Sequence, residues 1–392
     1  MKIKYIDDDI QHGIDYDFNL IEREFNKLEI PDNVYNPFKM HKIYSGKWVV
    51  DLSERSTGKT TNWLLLGMTM HKLYQTQIIY VREMVDMILP KHAMQLFTTI
   101  LENGYVEKLT NGLYNTIRYK SRSYFYENTD TGDVAAEPFM CSLSIDENFK
   151  NKSSFNAPRG DLIIFDEFIS KYNYQNMFID FCDTVKTVIR ERDSAFIVLL
   201  ANTINQHHVM FKELGVYEDI QHMQIDTQKE IRNAEGTIVD VALIGQSAER
   251  MPAHKRKHNN TFFGFSNPLL NSIRGGDWAV RIFPHLPRQE SKVETLYNKV
   301  YIRYNNYLLH LELKRSDELG LFVNCHIANK TYDDSIIYCM DNTLTNKREY
   351  YPWGTRKIDK LLWNLLKLNK WYYATNLEGS LIETYVNDIE RM

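Results

Sequence analysis

An apolar run from Trp48 to Leu52 breaks into the polar stretch Ser53-Glu-Arg-Ser-Thr-Gly-Lys-Thr-Thr61 and reopens as an apolar helix from Asn62 to Leu66. No other feature constrains the chain as strongly. A helix that starts directly behind a polar loop collects unpaired backbone N–H groups pointing at whatever lies above them. Phosphate suits such a nest. Lys59 is long enough to reach the β and γ oxygens of a triphosphate, and the Thr60 hydroxyl suits Mg²⁺. The expected binding set is therefore Ser53, Arg55, Ser56, Thr57, Gly58, Lys59, Thr60 and Thr61, with ATP and Mg²⁺ as cofactors. Ser53 stands where the pattern G-x-x-x-x-G-K-[ST] has its first Gly, which leaves the phosphate-contacting half intact.

A second apolar run, from Leu162 to Phe165, ends in Asp166 and Glu167. A short, wholly apolar segment reads as a buried central strand of a parallel sheet. Open α/β sheets hold ligands at the carboxyl ends of such strands. Asp166 is therefore expected beside the phosphates, holding Mg²⁺ together with Thr60, and Glu167 is expected to orient and deprotonate the attacking water. A third apolar run starts at Ala195 and ends in Asn202 and Thr203. The Asn202 carboxamide either bonds the water and the γ-phosphate or starts a turn.

At 392 residues the chain has room for two or three domains. It has no apolar stretch of about eighteen residues and no signal-peptide core, which predicts a soluble intracellular protein with no membrane partner. Cys141, Cys182, Cys325 and Cys339 lack the paired spacing of a disulfide framework or a zinc site. With a net charge of -4, the chain as a whole does not attract nucleic acid, so any such contact falls to local basic clusters.

One cluster interleaves Arg118, Lys120 and Arg122 with Tyr119 and Tyr124, inside a stretch from Tyr105 to Leu143 that reads as a β insertion with turns at Asn111-Gly112 and Thr131-Gly132. It suits a phosphate backbone or a solvated hairpin face. The densest cluster, Pro252 to Asn260, contacts nucleic acid or is a solvated loop. Arg82, closing the predicted strand Gln77–Arg82, faces nucleotide or DNA. Tyr35 and Phe38 either meet a base or pack.

Helices are predicted from Asn19 to Ile30, from Val85 to Leu101 and from Tyr174 to Arg192. Residues from Met210 to Gly245 read as a connector, with a helix from Glu218 to Gln228 and a hairpin at Ala234. Four alternating strands occupy residues 298–340, followed by apolar helices near Ile358–Leu368 and Leu381–Ile389. The division expected is 1–209 for the phosphate-loop domain, 210–250 for a linker and 251–392 for a second domain.

The segments Tyr35 to Met40, Ser53 to Thr60, Ile79-Tyr-Val-Arg82, Ile164-Phe-Asp-Glu-Phe-Ile169 and Leu200-Ala-Asn202 together resemble the DNA-encapsidation ATPases of phi29-like phages, which are terminase-related packaging motors. The resemblance covers most of residues 35–205. It implies an α/β fold, an additional-strand catalytic-glutamate P-loop ATPase domain followed by a smaller RNase H-like α+β domain. It further implies a homopentameric ring on the capsid portal, hydrolysing ATP to drive double-stranded DNA inward. Such a motor works in the host cytoplasm, sits transiently at the portal vertex of the procapsid and is absent from the mature virion.

Carried over by residue, the resemblance makes Lys59 and Thr60 phosphate and Mg²⁺ ligands, Asp166 a Mg²⁺ holder and Glu167 the catalytic base. Arg190 matches the trans-acting arginine finger, and Lys152 matches a second trans-acting cation. The family's further basic residues after the Arg82 strand are Glu83 and Val85 here, which moves DNA gripping to Arg82 and the β insertion. Two-metal cutting needs several convergent carboxylates, and the second domain offers only Glu312 and Asp341. A domain that has lost nuclease activity and docks to the portal or a structural RNA is expected. The alternative is another ring-forming DNA translocase, against which the second domain argues.

Overall fold

Two sheets organise the computed structural model, which describes residues 14–32, 34–40, 47–53, 58–146, 157, 159–169, 176–190, 192, 194–201, 207–217, 220, 227–232, 238–246, 283–286, 292–340, 349–350 and 356–391. They belong to two compact units. The first holds the described residues up to 246 except 176–177 and 207–209, which group with residues 283–391 in the second.

The first sheet has nine strands: β1 (Lys47–Ser53), β2 (Gln77–Arg82), β3 (Thr116–Lys120), β4 (Ser123–Glu127), β5 (Met140–Ser144), β6 (Gly160–Asp166), β7 (Phe196–Ala201), β8 (Thr227–Arg232) and β9 (Ile238–Gln246). Their order is β3-β4-β5-β2-β6-β7-β1-β9-β8. From β5 to β9 every pairing is parallel, while β4, β3 and β8 add antiparallel edges. Thus β7 lies between the loop-bearing β1 and the acid-bearing β6. Strands β6 and β7 are buried along their whole length, which is why they read as unbroken apolar runs.

Helix α1 (Phe18–Asn26) starts at Asp17, whose side chain accepts from the N–H groups of Asn19 and Leu20, a capping arrangement that satisfies otherwise orphaned donors. It packs on α2 (Lys59–Tyr74), where every residue from Asn62 to Met70 is buried. A helix apolar on all sides needs cover on all sides, and the sheet and α1 supply it. At Gly67 the helix lies so close to the sheet that a Cβ would come within 2.4 Å of Ile78 and 2.8 Å of Leu162. That approach seats the middle of α2 directly on β2 and β6.

The beginning of β6 is pinned by a buried network. Asp161, 1% exposed, accepts from Arg192 Nε at 2.8 Å, Ser194 Oγ at 2.5 Å and the Tyr16 hydroxyl at 2.7 Å. Arg192 also donates to the carbonyls of Gly160 and Val188. Removing one partner strands the other charge in the interior, at about 3–5 kcal/mol. Arg192→Ala is expected to lower unfolding stability on that scale in urea titrations; a loss below about 1 kcal/mol, typical of a surface pair, would contradict it.

Several predicted elements take another form. Residues 227–232 and 238–246 are strands rather than a free connector: β9 runs beside β1 in register from Lys47↔Asp240 to Ser53↔Gln246, and β8 pairs antiparallel with β9, while the turn expected at Ala234 lies outside the described residues. Thr227 and Gln228 are therefore strand residues rather than the end of a helix. Tyr105–Thr110 is a short helix ended by Asn111 in the left-handed region, and the β3–β4 turn is Ser121–Arg122, both at positive φ. The predicted Val85–Leu101 helix is broken into single turns, one of them opened by Pro90, a residue that starts a helix but cannot continue one. The helix after β6, α3, spans Met177–Ile189.

The second unit is built on β10 (Glu294–Tyr304), β11 (Tyr307–Ser316), β12 (Gly320–Ile327), β13 (Ile336–Cys339), β14 (Glu349–Tyr350) and β15 (Trp371–Tyr373), with α4 (Lys357–Lys367) and α5 (Asn376–Arg391). The strand order is β14-β13-β10-β11-β12-β15. β10, β11 and β12 form an antiparallel meander, β13 and β14 continue parallel to β10, and β15 runs parallel to β12. Alternate residues of the meander, including Ile302, Leu309, Leu311 and Val323, pack with Leu362 of α4 and Ile382 of α5, the period-two burial expected of a one-sided sheet. Among the described residues no helix is long and apolar enough to cross a membrane.

Candidate functional site

The carboxyl ends of β1, β7, β6 and β2 meet the start of α2. Gly58 holds φ at 87°, and a Cβ there would lie 2.7 Å from Val34. Both facts call for glycine immediately before Lys59. Lys59, 4% exposed, donates from Nζ to the carbonyl of Ala201 at 2.6 Å, at the end of β7. Thr60 Oγ1 lies 3.4 and 3.3 Å from the two carboxylate oxygens of Asp166, a residue 106 positions away. Thr61 lines the same cleft, and Ser53 closes β1. Arg55, Ser56, Thr57, Lys152, Asn202, Asp341 and the 252–260 cluster lie outside the described residues.

Glu167 leaves the strand with φ at 54° and its side chain half exposed. A non-glycine residue in the left-handed region costs about 1–3 kcal/mol, and such residues cluster at functional sites. The conformation turns the chain so that Phe168 N–H donates to Leu200 O on β7, and it aims the Glu167 carboxylate away from the core.

Sequence alone offers nucleotide or DNA as the partner of Arg82. The structure joins it to both acids, because β2 is the neighbour of β6 and the two strands end at nearly the same level. Arg82 Nη1 lies 3.3 Å from Asp166 Oδ2, and Nη2 lies 2.5 Å from Glu167 Oε2. The Tyr80 hydroxyl donates to Asp166 Oδ2 at 2.8 Å. Burial raises the Asp166 pKa, opposed by Arg82 and by the Tyr80 hydrogen bond. Burial alone would lower that of Arg82, but Tyr80, Asp166 and Glu167 together raise it. Sequence reading missed both partnerships; their signal was two polar side chains near the end of an otherwise aliphatic strand.

Beside these residues opens a cleft of about 540 Å³ lined by Thr60, Arg82, His92, Gln95, Tyr124 and Asp166 among others. Its oxygen donors suit a hydrated hard cation and phosphates. Among the described residues no group of three His, Cys, Asp or Glu side chains is placed to hold a metal unaided.

Tyr35 and Phe38 are packing residues. Tyr35 is 1% exposed and its carbonyl accepts from Asn62 Nδ2, while Phe38 packs on Phe25 at 5.5 Å between ring centroids. In the basic hairpin, Arg118 pairs with Glu127 across the strands and the Tyr119 hydroxyl donates to Ile88 O at 2.9 Å.

Arg190 is exposed and follows α3 with φ at 54°. Two residues later Arg192 is bonded to Gly160, the first residue of β6, whereas Asp166 is its last. Seven strand residues span about 20 Å, so Arg190 sits at the opposite edge of the sheet from the acids of its own chain.

No protein-family model matches the sequence, and no curated protein matches it. Solved structures do. The phi-28 gp11 DNA packaging motor aligns over 92% of this chain and 99% of its own at 14% identity, with a TM-score of 0.53. The N-terminal domain of the DNA packaging ATPase from bacteriophage phi29 aligns over 53% of this chain and 95% of its own, at 17% identity and a TM-score of 0.37. The large terminase ATPase domain of Thermus phage P74-26 aligns over 64% and 94%, at 13% identity and a TM-score of 0.37. The first similarity, running nearly the full length of both chains, establishes the architecture: this chain is built on the fold of the phi-28 gp11 DNA packaging motor.

Proposed function

We propose that this chain is the ATPase of a viral DNA-packaging motor, hydrolysing ATP to drive double-stranded DNA into a preformed capsid. The observation that carries the reading is the approach of Thr60 Oγ1 to 3.3 Å from Asp166, with Glu167 turned outward beside them. Binding alone would not need Glu167. Lys59 and the start of α2 hold the phosphates, and Glu167 takes the proton of the attacking water. Arg82 holds Glu167 in place, Asn202 belongs to the same set, and Arg190 and Lys152 act on the nucleotide of the neighbouring subunit. A hydroxyl and a carboxylate this close fit Mg²⁺, which prefers oxygen ligands and keeps part of its water shell. When bound, it neutralises charge on the β and γ oxygens.

The strand order, with β7 between β1 and β6, supports assignment to the additional-strand catalytic-glutamate division. The RNase H-like reading of the second unit is supported by its meander flanked by the parallel strands β13 and β14, although only residues 328–335 join β12 to β13, with no helix between them. Glu312 is engaged by Lys314 Nζ and Asn324 Nδ2, each at 3.0 Å, which supports a domain used for docking to the portal or a structural RNA rather than for cutting. The motor reading carries with it a homopentameric ring in the host cytoplasm, visiting the portal vertex of the procapsid and absent from the virion.

The test is ATP hydrolysis by the full chain with Mg²⁺, duplex DNA and procapsids of its own phage. DNA-stimulated hydrolysis with filling of the procapsid is expected. Absence of hydrolysis would overturn the reading, and hydrolysis on DNA without filling would favour another ring-forming translocase.

A further inference from the structure

The inference drawn here rests on the ATPase reading and concerns how Asp166 is held. Among the described residues its carboxylate meets three side chains: Thr60 at 3.4 and 3.3 Å, Arg82 at 3.3 Å and Tyr80 at 2.8 Å. Two of these contacts are at the long end of hydrogen-bonding range. The Tyr80 hydroxyl makes the short one. It falls on Oδ2, as does the Arg82 contact, which leaves Oδ1 facing Thr60 alone.

The register explains why Tyr80 reaches this atom. Tyr80 on β2 pairs with Ile164 on β6, two positions before Asp166. Residues two apart share a face of the sheet, so Tyr80 and Asp166 stand on the same side one pleat repeat apart, a span that a phenol covers. A carboxylate only accepts, so the phenol O–H must donate to it. The phenol oxygen then accepts from Arg82 Nη1 at 3.4 Å. Tyr80 is 5% exposed and stands in the wall of the cleft beside Asp166. Its neighbours Ile78, Ile79 and Val81 are aliphatic and fully buried. A Phe would serve such a strand equally well for packing, and the hydroxyl of a buried Tyr usually has a hydrogen-bond partner.

We propose that Tyr80 is a positioning residue for the Mg²⁺–nucleotide complex: its hydroxyl and Arg82 hold Oδ2 of Asp166, which leaves Oδ1, met among the described residues by Thr60 alone, for the cation's shell. Groups that orient a metal-holding carboxylate typically contribute 10–100-fold to metal affinity.

The experiment compares wild type, Tyr80→Phe and Tyr385→Phe, the last removing a buried phenol from the core of the second unit. Mn²⁺ binding to the protein–ADP complex is followed by electron paramagnetic resonance, alongside the Mg²⁺ concentration for half-maximal hydrolysis. Tyr80→Phe is expected to weaken both by about tenfold or more, with metal-free ADP binding and the Tyr385→Phe protein unchanged. Wild-type Mn²⁺ affinity in Tyr80→Phe would overturn the proposal, even if the variant melted earlier. Should Tyr80→Phe fail to fold, a fluorotyrosine at position 80 keeps the shape while altering donor strength; a shifted Mn²⁺ affinity supports the proposal and an unshifted one overturns it. If wild type bound no Mn²⁺ with ADP, the ATPase reading itself would fall, however the variants behaved.

Discussion

Glu167→Gln is expected to bind ATP as wild type does and to lose hydrolysis by about 10²–10⁴-fold, the usual scale for removing a general base. The substitution separates holding from reacting. A Gln carbonyl still accepts from Arg82 Nη2, which meets Glu167 at 2.5 Å, so the side chain keeps its place at the end of β6. It no longer takes a proton from water. Single-turnover quench measurements beside fluorescent-nucleotide binding resolve the two steps. Unchanged hydrolysis would remove Glu167 from the chemistry, and lost binding would show that its role is architectural.

The second large effect is expected at Arg190. Its place near the start of β6 leaves it about 20 Å from the acids at the other end, so it has no route to the nucleotide of its own chain. An arginine supplied to phosphoryl transfer contributes about 10³–10⁵ in rate, so a ring made wholly of Arg190→Ala subunits should be nearly inactive while each subunit still binds ATP. In mixtures with wild type, activity should fall more steeply than the mutant fraction. A linear fall would show that Arg190 does not act across a subunit boundary. The neighbouring Arg192 needs separate treatment, because it is buried against Asp161 and its loss is a folding effect.

Much of the first unit was legible because β6 and β7 are buried on both faces and spell this out as unbroken apolar runs ending in polar residues. The meander of the second unit was legible for the opposite reason, its alternation. What escaped was decided by neighbours distant in sequence. Thr227–Arg232 is polar enough to pass for a connector, and only pairing with β9, itself laid against β1, makes it a strand. β15 has three residues, too few for any period to show. The pairing of Arg82 with both acids escaped because nothing local reveals that β2 ends beside Asp166. Arg190 and Arg192 are alike on paper, and burial alone tells them apart.

The Tyr16–Asp161 bond has a practical consequence for shortened versions of the protein. The start of the chain looks dispensable, yet trimming beyond residue 16 would take away a phenol that donates to an interior anion at 2.7 Å. Expression boundaries chosen just upstream of the phosphate loop should therefore yield poorly behaved material, because they remove both this donor and the cover that α1 gives α2.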